Sequence, residues 1–128
     1  MNRMDFIDYD GFPTNKILLE NKLSLFYERK EKMEKIIKES EDYLLHNSYS
    51  KDPSYTKVSH ILVDEKMEHK RIEDVINYIM AGIEDTGDDI SPTLTLLIAV
   101  VEQTSDRVFD RHNMMKDTFS LKPYMQQQ

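Results

Sequence analysis

Arg107, Asp110, Arg111 and His112 bring two guanidinium groups, a carboxylate and an imidazole into about one and a half turns of helix. A guanidinium can neutralise developing negative charge, and an imidazole can move a proton near neutral pH. Arg111 follows Arg107 by four residues and shares its face, whereas His112 follows by five and is rotated about 140° from it. The same residues have a plain structural reading. Arg107 and Arg111 would then pair with Asp106, Asp110 or an acid on a neighbouring helix, and His112 would sit at the edge of the core.

The run Arg107-Val108-Phe109-Asp110-Arg111-His112 resembles the Arg-x4-His motif of the HEPN family, helical domains many of which are RNases. The resemblance implies a small helical dimer in which two such motifs meet, Arg107 stabilising phosphate and His112 acting as acid or base without a metal. A degenerate relative would keep only nucleotide binding. The likeness covers six residues, and Val108 stands where that family often has a polar one.

Other constellations are weaker. The four histidines are His46, His60, His69 and His112. Glu65, Glu68 and His69 share a helical neighbourhood that Glu102 or Asp106 could complete, but paired carboxylate-bridged metals use Glu-x-x-His, and Glu68 and His69 are adjacent. A wet charged surface is the simpler expectation, and no metal or cofactor is expected. Asp85, Asp88 and Asp89 lack the twelve-residue ligand spacing of a helix-loop calcium site and read as a solvated linker. The absence of Cys excludes disulfides, thiolate zinc and a cysteine nucleophile. Three scattered glycines form no phosphate loop or dinucleotide fingerprint, and no serine stands in a G-x-S-x-G setting.

Charge narrows the partners. Seventeen basic and twenty-four acidic residues leave a formal charge of −7, which repels phosphate backbones and anionic lipid as a whole. The basic run Arg29, Lys30, Lys32, Lys35 and Lys38 is interleaved with Glu28, Glu31, Glu34, Glu39, Glu41 and Asp42, the pattern of a solvated helix laced with ion pairs. Direct nucleic-acid binding is therefore disfavoured, and a basic protein partner is favoured. The acidic N-terminal stretch with Asp5, Asp8 and Asp10 is unlike a signal peptide, and the longest apolar run, Leu96 to Val101, is far too short to span a bilayer. The expectation is a cytoplasmic protein that does not enter the membrane.

The elements that must position these residues are helical. With 128 residues the chain matches one domain over 1–128, and few Gly or Pro interrupt its apolar stretches. Leu19, Leu23, Phe26, Met33, Ile37 and Leu44 recur at steps of four, three and seven, with Lys30 and Ser40 at the intermediate positions. Thr14 or Asn15 can cap this helix, and a polar run from Asn47 to Pro53 should end it. Val58, Ile61, Leu62, Ile72, Val75, Ile76, Ile79, Met80 and Ile83 mark a second face whose middle, Asp64 to Arg71, is strongly polar. That segment is either one helix with an exposed centre or two helices meeting near 64–68. Ser91-Pro92 opens a third helix. Its Leu94, Leu97, Ile98, Val101, Val108, Phe109, Met115 and Phe119, widened by Leu96 and Val100, are expected deepest in the core. Most of the eight methionines, Met67, Met80, Met114, Met115 and Met125 among them, are expected inside.

The pattern predicts an all-α antiparallel three-helix bundle, or four helices if the second is broken, with an N-terminal arm at 1–13 and a frayed tail at 120–128. Phe6, Tyr9 and Phe12 of the arm either pack across the helices or dock on a partner, and Arg111 is a further candidate contact. The favoured function is a non-catalytic helical interaction or regulatory module that binds another protein or a second copy of itself. The alternative is the RNase or nucleotide-binding relative centred on Arg107 and His112.

Overall fold

A computed structural model of the chain describes residues 15–47, 53–85 and 90–118. Three helices account for them: α1 Asn15–His46, α2 Pro53–Glu84 and α3 Pro92–Thr118. No strand occurs among the described residues, and the fold is an all-α three-helix bundle. The arm at 1–13, with Phe6, Tyr9 and Phe12, and the tail at 120–128 lie outside the described residues.

Local chemistry sets the boundaries. Pro53 and Pro92 stand at the first helical positions of α2 and α3, where a missing N–H costs nothing. At α3 the backbone N–H of Thr95 donates to the carbonyl of Ser91 at 3.0 Å, and the Ser91 hydroxyl accepts a longer bond from the N–H of Leu94. Helix α2 is continuous over 32 residues. Its polar middle does not face water as a whole, because Glu65 and Glu68 are completely buried. The expectation of an exposed centre is corrected on this point: the two carboxylates have partners on the neighbouring helices, so the helix needs no break to keep them in water.

Side-chain pairs fix the topology. Tyr43 meets Ser54, Ser40 meets Glu65 and Glu34 meets His69, so α1 and α2 are antiparallel. Asp64 meets Arg111 and Glu68 meets Thr104, so α2 and α3 are antiparallel as well. Helices α1 and α3 run parallel, with Lys22 beside Glu102 and Glu39 beside His112. Helix α2 packs broadly on both neighbours, whereas α1 and α3 meet chiefly through long side chains. The central helix is thus α2 and not α3. Leu96 and Val100, the residues that made α3 look deepest, are 65% and 45% exposed.

The larger apolar core contains Phe26, Met33, Ile72, Val75, Ile79 and Phe109. A smaller one holds Tyr43, Val58 and Met115. Met33 and Met115 are buried, but Met67, Met80 and Met114 are exposed, so among the described residues the methionines do not mainly fill the core as expected. The Met80 sulfur accepts from the Tyr27 hydroxyl at 3.6 Å, and the thioethers of Met67 and Met114 are adaptable surface groups.

Candidate functional site

Between the two apolar clusters lies a buried polar layer made by all three helices. Glu39 and Ser40 come from α1, Glu65 from α2 and His112 from α3, and all four are buried. Each stands where helical periodicity puts a core residue. Ser40 continues Phe26, Met33 and Ile36, Glu65 continues Val58 and Leu62, and His112 falls between Phe109 and Met115.

His112 has both ring nitrogens engaged. Nδ1 lies 2.7 Å from Oε2 of Glu65, and Nε2 lies 2.8 Å from Oε2 of Glu39. The Ser40 hydroxyl donates to the other Glu65 oxygen at 2.7 Å. Lys116 stands 3.8 Å from Glu39. Burial by itself pulls the proton affinity of the imidazole down, but the hydrogen bonds and charges of Glu65 and Glu39 outweigh it, and the pKa of His112 is raised above its ordinary 6.5. The imidazolium can donate to both carboxylates at once, and the Lys116 ammonium completes the charge balance.

A second polar level adjoins this layer. Glu68, fully buried, accepts from Arg71 at 2.9 Å and from the hydroxyl of Thr104. Ser105, also fully buried, donates to the carbonyl of Val101 at 2.6 Å and accepts from Arg29, which also reaches Asp106 at 2.7 Å.

The structure does not bring Arg107 and His112 together. Their five-residue separation turns His112 into the core and Arg107 outward, where it is exposed and makes no hydrogen bond or ion pair among the described residues. Arg111 lies between these directions and pairs with Asp64 of α2 at 3.1 Å, while its buried Nε has no hydrogen-bond partner.

The remaining candidates separate in a similar way. His69 turns to Glu34 and Glu73, away from the buried Glu65 and Glu68. No group of three or more His, Asp or Glu among the described residues is arranged to hold a metal ion. In the basic run, Lys38 pairs within α1 with Asp42, whereas Arg29 and Lys30 reach across to Asp106 of α3 and Glu73 of α2. Lys32 instead lies over the ring of Phe109, 4.4 Å from its centre.

Sequence reasoning overlooked Glu39, Ser40 and Glu65 as partners of His112. A signal was available in the spacing, since Ser40 and Glu65 continue the apolar stripes of α1 and α2, although Lys30 on the same α1 stripe stays partly exposed.

No family model matches the chain, and comparisons with curated proteins and with solved structures likewise give no match.

Proposed function

We propose that the chain is a non-catalytic helical module that binds a protein partner through the outer face of α3. The observation that carries this reading is the contrast between His112 and Arg107. His112, with no exposed surface and both nitrogens engaged, has the geometry of a structural group. Arg107 instead stands on the surface in line with Leu96, Val100 and Met114, within about 40° of one another on the helix. This stripe extends for 18 residues, about 27 Å, and points away from the core. A continuous exposed apolar stripe marks a contact surface, and Met and Arg are enriched at interfaces. The net acidity of the chain favours a partner with basic groups around its apolar contacts.

Leu96→Lys combined with Val100→Lys places charge in this stripe without touching the core. Sedimentation of the wild type over a wide concentration range tests whether a second copy is the partner, and the double variant should then stay monomeric. If the wild type is monomeric, the expected result is a defined partner that, when purified, binds the wild type at least tenfold more tightly than the double variant. Cleavage of RNA by purified wild type, abolished by Arg107→Ala in a folded variant, would overturn the proposal.

A further inference from the structure

Between α2 and α3 lies a cleft of about 160 Å³, lined by Asp64, Met67, Glu68 and Arg71 from α2 and by Val108 and Arg111 from α3. Each guanidinium is tied through one nitrogen to a carboxylate of α2. Nη1 of Arg111 lies 3.1 Å from Asp64, and Nη1 of Arg71 lies 2.9 Å from Glu68. Neither arginine makes a further hydrogen bond among the described residues. In both, the Nε–H and the Nη2–H beside it therefore form an unused side-on fork. At Arg111 the Nε is also buried. A buried cationic donor without an acceptor is costly, and an anion reaching this fork would relieve that cost.

The charges of the cleft set the class of ligand. Arg71 and Arg111 offset Glu68 and Asp64, and Arg107, one turn before Arg111 and without a partner among the described residues, leaves a single positive charge in excess. A monoanion matches that excess, whereas a dianion would face two carboxylates with too little to offset it. A fork of two parallel N–H groups fits the two oxygens of a carboxylate. Val108 and Met67 add an apolar wall for a short hydrocarbon stem. Met67 is half exposed, and its unbranched side chain can swing to admit one.

We propose that the α2/α3 cleft binds a carboxylate carried on a short aliphatic stem. Nε and Nη2 of Arg111 donate to its two oxygens, Arg71 supplies the second cation, and the stem lies against Met67 and Val108. Asp64 and Glu68 act as positioning residues that hold the two guanidinium groups. The site uses none of Leu96, Val100 and Met114, so it stands or falls separately from the partner-binding function.

Nitrogen-15 spectra of the arginine Nε–H groups in the full chain read the fork directly. At constant ionic strength the Arg111 resonance should shift saturably with acetate, butyrate should half-saturate it at a severalfold lower concentration, and inorganic phosphate should need a severalfold higher one. Arg111→Lys keeps the charge and removes the fork, so the butyrate-dependent shift of Arg71 should then require about tenfold more ligand. If that variant loses helical circular dichroism, Arg71→Lys, at a half-exposed position, should still weaken the response of Arg111 severalfold. A tripeptide with a free C-terminus that outcompetes butyrate, while its amide does not, would place the carboxylate on a protein end; the reverse order would place it on a free small acid. Shifts reproduced by chloride alone, phosphate binding tighter than butyrate, or a folded Arg111→Lys variant that binds like the wild type would each overturn the proposal.

Discussion

Nδ1 of His112 sits 2.7 Å from Oε2 of Glu65, and neither side chain has any exposed surface. An ion pair this deep adds little net stability against an apolar replacement, because desolvation offsets most of the attraction. Its value is directional. An imidazolium between Glu39 and Glu65 satisfies its donors in one alignment of the three helices, and a shift by one turn would leave buried charge unpaired.

Stability should fall as pH rises through neutrality. His112 binds its proton more tightly in the folded chain than in the unfolded one, so its contribution is complete below about pH 6.5 and is lost as pH rises through the raised folded value. Glu39, Ser40, Glu65 and Lys116 are the polar groups that face it. Urea midpoints between pH 6 and 9 should decline for the wild type. In His112→Gln the decline over this range should be much reduced, and an equal slope would contradict the assignment.

Removing one member of the layer should cost more than removing all the charge. Glu65→Leu leaves His112 and Ser40 without their shared acceptor, a loss of about 3–5 kcal/mol. The combination Glu39→Met, Glu65→Leu and His112→Leu takes out both carboxylates and the imidazole, and should recover most of that loss. Equilibrium unfolding in urea compares them. A combined variant less stable than Glu65→Leu alone would show that the layer is a net source of stability.

Gly82→Ala should stabilise the protein by up to about 1 kcal/mol, through helix propensity. The added methyl would approach terminal methyls of Leu19 and Leu94 at 3.3 Å. Leu94 also borders an open groove with Tyr78, Ala81 and Leu97, so its side chain has room to yield. A lower thermal midpoint in Gly82→Ala would mean that the two leucines are fixed.

Arg29→Ala should destabilise the bundle by about 1 kcal/mol, since Nη1 of Arg29 alone reaches the Ser105 hydroxyl, Asp106 and the carbonyl of Glu102, and truncation removes all three contacts. Hydrogen exchange should locate the effect on the α1/α3 side. Unchanged stability would mean that the contact is replaced by water at no cost.

The architecture was legible because the apolar residues keep helical spacing through Phe26, Met33, Ile72, Ile79, Val101 and Phe109, all of which reach the core. Ser91-Pro92 likewise marked the start of α3. What could not be read was which polar residues the third helix would meet. Hydropathy assigns Glu65 and Glu68 to water, and the arrival of Ser40 from α1 and of His112 and Thr104 from α3, with Arg71 on α2 itself, makes their burial tolerable. Leu96 and Val100 misled in the opposite sense: an apolar residue on a helix does not say whether the surface it faces belongs to the same chain.

The central position of α2 has a consequence for how the chain assembles. Each broad contact joins helices consecutive in sequence, so two helical hairpins can zip with short loops and little entropic delay. The remote pair, α1 and α3, is joined near the surface by Lys22–Glu102 and Arg29–Asp106 and in the interior by Glu39–His112. Ionic strength therefore loosens the outer part of the α1/α3 seam and leaves the buried Glu39–His112 pair almost unscreened.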